Sequence, residues 1–226
     1  HFDKDLRDNF EIEDLNISLR NIHYPKNFES LDKSIHRLKY DEHFFLQLLL
    51  ALRKQKIKEN KYDSIKFKTI SYNKILKNLD FELTGSQQLS LREIVDDFLS
   101  ENPMNRMIQG DVGCGKTIVA ILASAIVIDN NAQIAVLAPT EILAEQHYKS
   151  FKNHFNKVGV EVGLLIGKMK LKEKEEMLEK ISNSKVNIVI GTHALLQDNV
   201  LFDDLGLIII DEQHRFGVSH RKKIIE

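Results

Sequence analysis

The octet Gly110-Asp111-Val112-Gly113-Cys114-Gly115-Lys116-Thr117 constrains the fold of this chain more than any other stretch. It fits the pattern G-x-x-x-x-G-K-[ST], whose residue types follow from the chemistry of a polyphosphate. Such an anion needs several converging donors and a positive charge near its outer phosphates. Glycines let backbone N–H groups turn inward with no Cβ in the way. A helix opening near Lys116 adds its dipole and its free N–H groups. In that geometry the Lys116 ammonium reaches the β- and γ-phosphates of a nucleoside triphosphate, and the Thr117 hydroxyl binds Mg²⁺. The flanks agree. Met104 to Gln109 reads as a short strand, and Ile118 to Ile128 is almost wholly apolar, as in a helix buried against a sheet. A glycine-rich turn with a surface lysine is the alternative, and these flanks weigh against it.

A second constellation complements the first. Asp211-Glu212-Gln213-His214 follows the apolar run Leu207-Ile208-Ile209-Ile210. A run apolar at every position suits a central parallel strand with both faces covered. Ligands of open parallel sheets bind beyond the carboxyl ends of strands. Asp211 at such an end is the candidate for holding Mg²⁺ through water, and Glu212 for orienting and polarising the attacking water. Asp-Glu pairs are common as solvated charge, and Asp211 as a simple cap is the competing reading; the octet favours the magnesium role.

Composition narrows the class. At 226 residues, 42% hydrophobic and 29% charged, the chain can bury one full core plus a smaller helical part. Its single cysteine, Cys114, leaves no internal disulfide framework. It lies inside the phosphate loop as a tolerated small residue, with a redox switch as the less expected alternative. No stretch reaches the roughly 18 apolar residues of a membrane span. The charged start has no signal-peptide pattern, so a cytoplasmic protein with no membrane partner is expected. The net charge of −1 gives no global basic field. Positive charge is local, at 53–58, 168–174 and 221–223, and such clusters are more often solvated helix faces than phosphate tracks. A chain running from His1 to Glu226 reads as a piece of a longer protein.

Periodicity divides the chain into residues 1–78, mostly helical, and residues 79–226, an α/β domain. In the first block, Leu31 to Tyr40 and Glu42 to Lys58 show helical spacing, and Tyr72 to Leu79 suggests another helix. Phe45, Leu46, Leu48, Leu49, Leu50 and Leu52 form an apolar surface that must pack on something. Beyond Leu83, a helix over 88–99 ends at Asn102-Pro103. Strands are expected at 104–109, 133–138, 160–166, 186–190 and 206–210, and helices at 116–129, 141–156 and 171–182. That alternation implies a parallel sheet with right-handed crossovers.

Four runs carry a family resemblance. They are Met104 to Gly113; Ala138-Pro139-Thr140-Glu141-Ile142-Leu143-Ala144-Glu145-Gln146-His147; Gly191-Thr192-His193-Ala194-Leu195-Leu196-Gln197; and Asp211 to Val218. Together they closely resemble the RecG family of bacterial superfamily 2 ATP-dependent DNA helicases. Ile22-His23-Tyr24-Pro25 and Arg37 to Glu42 are similar to that family's linker between wedge and motor. The resemblance covers nearly the whole chain. It implies a RecA-like P-loop NTPase sheet, incomplete here, preceded by a helical linker. Departures are few: Cys114 stands where a small residue such as serine is usual, Ile166 where a threonine is, and Ser219-His220 differs from the usual pair. His220 is similar to the transcription-repair coupling factor, which ranks second.

The resemblance implies further roles. Thr84-Gly85-Ser86-Gln87 reads by itself as a capping box opening a helix; by resemblance it also senses adenine, with the Gln87 amide on the base edge and Phe81 packing on the ring. Thr140 and Thr192 read by spacing as N-caps; by resemblance their loops face DNA phosphates. His214 links the γ-phosphate end to the DNA-facing surface, and zinc spacing is absent around it and His193. The implied cofactors are ATP and Mg²⁺, and the implied partner is branched double-stranded DNA, at replication forks and Holliday junctions, acted on by a monomer. The implied activity is fork regression and branch migration. Two other readings stay open: a nucleotide-binding module with little activity by itself, lacking the arginine of a second lobe, and a P-loop motor on some other track. The family fold also sets a further strand between those of the two motifs, so a sheet with a central gap is expected.

Overall fold

A computed structural model of the chain describes residues 2, 7, 9–59, 65–66 and 68–216. Most of the basic clusters at 53–58 and 221–223, Gly217-Val218 and Ser219-His220 lie outside the described residues or side chains. The chain divides into two compact units, residues 1–61 and 62–226.

The first unit is built on two helices, α1 (Leu15–His23) and α2 (Phe28–Glu59). Asp14 caps α1, its carboxylate accepting from the Asn16 N–H at 2.9 Å. The two stretches expected as separate helices run together as α2, because Asp41 pairs with Arg37 one turn back at 3.0 Å and so supports the helix. Arg37 is buried and donates to the Glu13 carbonyl at 2.6 Å. Ser18 and Ser34 both donate to the Glu13 carboxylate, at 3.0 and 3.1 Å. A polar network around Glu13 therefore does the work that an apolar seam does elsewhere. Apart from the Phe45 ring, which meets Phe2 and Phe44, the leucine-rich surface of α2 does not find the packing expected of it among the described residues. Phe45, Leu46, Leu48, Leu49, Leu50 and Leu52 are all exposed.

The second unit contains α3 (Ile70–Lys77), α4 (Gly85–Leu99), α5 (Lys116–Ile128), β1 (Gln133–Leu137), α6 (Glu141–Phe155), β2 (Val162–Leu165), α7 (Leu171–Ser182), β3 (Ile188–Gly191) and β4 (Leu205–Ile210). The helix at 70–77, read from sequence with the first block, belongs here. Ile75 is buried in the core of the α/β unit, and the Ser71 N–H donates to the Asp129 carboxylate at 2.9 Å.

All strand pairs are parallel, in the order β2-β3-β1-β4. Successive residues of β1 serve opposite faces. Ile134 and Val136 join α4, α5 and α6 in one core, while Ala135 and Leu137 join Ile181, Val189 and Leu195 in the other. Buried Phe151 and Phe155 of α6 stack at 6.0 Å. One buried polar side chain closes the amino end of the sheet. Gln133 donates from Nε2 to the Ile181 and Val186 carbonyls, both at 2.9 Å, and accepts at Oε1 from the Asp203 N–H at 2.8 Å.

Two expectations fail together. Residues 104–109 form no strand, and β4 is an edge strand among the described residues instead of a central one. The cause is pairing. A strand needs backbone partners, and no described strand lies beside β4 on its outer side. Leu205 and Ile208 are consequently 39% and 37% exposed, and Met107 is 77% exposed. The central gap expected between two flanking strands therefore does not form among the described residues, whose sheet ends at β4.

Candidate nucleotide-binding site

The octet folds into a loop leading into α5. Gly115 is the N-cap of that helix, with φ +84°, and Gly113 has the same left-handed φ. A Cβ at Gly115 would come within 2.3 Å of Gln87 Nε2, and one at Gly110 within 2.6 Å of Cys114 Sγ. Backbone conformation requires glycine at 113 and 115, and a Cβ at 110 or 115 would also displace the neighbouring side-chain end. Lys116 curls over the loop, its Nζ donating to the Gly110 carbonyl at 2.7 Å and the Asp111 carbonyl at 2.9 Å. Asp111, Val112 and Gly113 are exposed, and Thr117 occupies the first turn of α5. The loop has the shape of a phosphate cradle: N–H groups at a helix start, an ammonium held over the loop, and no side chain filling the space above Gly113.

Gln87 buttresses this loop. Thr84 and Gln87 form the expected capping box around the start of α4. The Gln87 carbonyl oxygen accepts from the Thr84 N–H at 2.9 Å, and its Nε2 donates to the Cys114 carbonyl at 3.0 Å. The amide expected to read adenine is therefore engaged with the phosphate loop itself. Phe81 is 54% exposed and lines a surface cleft with Ile75, Leu79, Asn153, His154 and Lys157. None of those residues belongs to the phosphate loop.

The parallel order sets the other candidates at one end of the sheet. Thr140, Thr192 and Asp211 each follow the carboxyl end of a strand. α5 ends just before β1 begins, so its first turn, with Lys116 and Thr117, points to that same end. Asp211 extends the ladder, its N–H donating to the Leu137 carbonyl at 2.9 Å. Its Oδ2 lies 2.8 Å from His147 Nε2, contributed by α6. Glu212 adopts φ +52°, a left-handed conformation uncommon for a residue with a side chain and enriched at functional sites. Its carboxylate meets His214 Nε2 at 3.3 Å, with the His214 side chain 75% exposed.

The two threonines part company. Thr140 caps α6, its Oγ1 accepting from the Leu143 N–H at 3.3 Å, and it is exposed. Thr192 is only 2% exposed, with its hydroxyl buried and unpartnered, so that side chain is not presented to a DNA phosphate. Ile166 is buried in the core. Lys168 is hydrogen-bonded to Glu145, which holds that carboxyl below its usual range. His147 was missed as a site residue. It stands in one of the recognised runs, but nothing local marks it as a partner of Asp211.

Among the described residues, no cluster of three or more His, Cys, Asp or Glu side chains could hold a metal alone. Magnesium keeps several waters and leans on substrate phosphates with one or two protein groups. The Thr117 hydroxyl would supply a direct ligand, and Asp211 would hold the ion through water. No helix among the described residues is long and apolar enough to cross a membrane.

A parallel sheet flanked by helices, a glycine-rich loop opening a buried helix, and an Asp-Glu pair at a strand end define a P-loop NTPase of RecA-like fold. The chain belongs to the DEAD/DEAH box helicase family, whose profile matches residues 84–226. Family membership implies ATP use. The ATP-dependent DNA helicase RecG of Aquifex aeolicus (strain VF5) is 41% identical over 98% of this chain, covering 29% of that protein. RecG of Thermotoga maritima is 44% identical over 90% of this chain and 26% of its own length. A solved structure of RecG bound to a three-way DNA junction matches with a TM-score of 0.81 at 39% identity, over 96% of this chain and 30% of that one. A hypothetical ATP-dependent RNA helicase from Sulfolobus tokodaii shares the fold alone, with a TM-score of 0.52 at 18% identity, covering 68% of this chain and 44% of that one. The chain thus spans under a third of the RecG proteins it resembles.

Proposed function

We propose that this chain forms part of an ATP-driven motor that translocates on double-stranded DNA and remodels branched structures in recombination and repair. Fork regression and branch migration of Holliday junctions are the expected reactions, carried out in the cytoplasm by a monomer. The observation that carries the reading is the phosphate loop with Lys116 poised over it, at the sheet end that also presents Asp211 and Glu212. The likeness to RecG proteins over nearly all of the chain supports the choice of DNA.

Each residue has a physical task. Loop N–H groups and Lys116 bind the β- and γ-phosphates and stabilise the charge on the transferring group. Thr117 and Asp211 would hold magnesium, which neutralises charge between the phosphates. Glu212 orients and polarises water for in-line attack. Thr140, exposed at the start of α6, would meet the DNA backbone, a contact that positions without reading sequence. The Lys116→Ala variant of the intact protein is expected to lose DNA-stimulated ATP hydrolysis; retained turnover would contradict the assignment.

A second reading concerns these residues taken alone: a module that binds nucleotide and turns it over slowly. The solvent-open site favours it. Glu212 and His214 side chains are 43% and 75% exposed, and phosphoryl transfer without a charge-compensating arginine runs about 10³–10⁵ slower. Nucleotide titration and an ATPase assay of the 226 residues, with forked DNA present, separate the two. Fast turnover would eliminate this second reading.

A further inference from the structure

We propose that His147 is a positioning residue for the magnesium-facing carboxylate of Asp211, an inference that rests on the nucleotide-site reading above. Three observations converge on it. His147 Nε2 lies 2.8 Å from Asp211 Oδ2, within hydrogen-bond range. The contact joins residues 64 positions apart, brought together by α6 and the end of β4. Both side chains are largely shielded, at 17% and 29% exposure, so the contact is not a passing surface pair.

The chemistry fixes the direction of the bond. An ionised carboxylate can only accept, so Nε2 must carry the proton and donate it to Oδ2. A carboxylate held through one oxygen is restricted in rotamer, and Oδ1 would remain available to a magnesium-bound water. The backbone side of Asp211 is fixed as well, through its N–H to the Leu137 carbonyl at 2.9 Å. His147 therefore supplies the remaining restraint, that on the side chain. Outer-shell partners of this kind are typically worth about 10–100-fold in metal affinity.

The test compares His147→Leu, which fills similar space without a donor, with His147→Gln, whose amide N–H reaches a similar point. Binding of a fluorescent ATP analogue to the intact protein is measured with and without Mg²⁺. For His147→Leu, magnesium-free binding should match the parent, and the Mg²⁺ concentration giving half of the magnesium-dependent gain should rise at least tenfold. For His147→Gln that concentration should stay within about threefold of the parent, as expected for a donor retained at lower precision. If His147→Leu does not fold, His147→Asn, polar but too short to reach, takes its place with the same expectation. An unchanged magnesium requirement in the donor-less variant would overturn the proposal. So would equal impairment of the donor-less and Gln variants, which would assign the effect to packing. Asp211→Asn is the control for the underlying reading. If it too leaves the magnesium requirement unchanged, the nucleotide-site assignment fails, and not merely the role of His147.

Discussion

The Gln87 side chain donates to the Cys114 carbonyl at 3.0 Å, joining the start of α4 to the phosphate loop. The same amide accepts from Thr84, so one side chain serves helix capping and loop geometry at once. Replacing it separates the two roles. Gln87→Glu keeps the accepting oxygen, loses the donor and adds negative charge near the phosphates. Loss of about tenfold in ATP affinity, equivalent to the net worth of one neutral hydrogen bond, is expected. The melting temperature should hardly change. Gln87→Ala should lose both, adding about 1 kcal/mol of destabilisation from the broken cap. Calorimetric titration beside thermal unfolding reads the two effects apart.

Two neighbouring glycines should behave oppositely. Gly115 has φ +84° and no room for a Cβ beside Gln87, so Gly115→Ala should destabilise by about 1–3 kcal/mol and abolish measurable nucleotide binding. At Gly85 nothing lies within 4 Å of a new Cβ and the residue opens α4, so Gly85→Ala should be neutral or stabilising by up to about 1 kcal/mol. Chemical denaturation of both variants checks the contrast; equal losses would refute it.

Gln133 is the structural counterpart, buried at 1% exposure and bonded to three segments of backbone. Gln133→Leu would strand the buried Val186 carbonyl and leave the part-buried Asp203 N–H without its acceptor, while the Ile181 carbonyl keeps the Ser184 N–H at 3.1 Å. At about 1–3 kcal/mol for each group left without its partner, a loss of about 2 kcal/mol or more is expected. A midpoint of urea unfolding close to that of the parent would show that the network is dispensable.

Much of this was legible in the sequence, and the failures have common causes. The octet could be read because its glycines, lysine and threonine each answer a local demand of phosphate binding. Helices 116–128, 141–155 and 171–182 followed from periodicity, since their apolar faces meet a sheet. The edge position of β4 could not be read, because an apolar run says that a strand avoids water and not what covers it. Residues 104–109 have strand composition but no strand beside them. The break near Asp41 was illusory, because its charge is neutralised by Arg37 inside the helix. Gln133 and His147 escaped notice for one reason: their partners lie far along the chain, and a single sequence carries no signal of such pairing.

Cys114 offers a direct report on occupancy of the loop. It is exposed, it is the only cysteine in the chain, and its Sγ lies 3.8 Å from Lys116 Nζ. Alkylation by iodoacetamide should proceed in the free protein and slow at least tenfold with saturating ATP and Mg²⁺. Cys114→Ser should bind ATP within about twofold of the parent, as expected for a near-isosteric change. Labelling unaffected by nucleotide would place the phosphates elsewhere.

The central claim is that Lys116 and its loop power a motor on branched DNA. Steady-state ATP hydrolysis by the intact protein, with forked or linear duplex DNA and with Lys116 or Lys116→Ala, tests it most directly. The account predicts turnover stimulated more by forked than by linear DNA, and reduced at least a hundredfold by Lys116→Ala. Undiminished hydrolysis in the variant would contradict the site, and hydrolysis indifferent to DNA would contradict the motor.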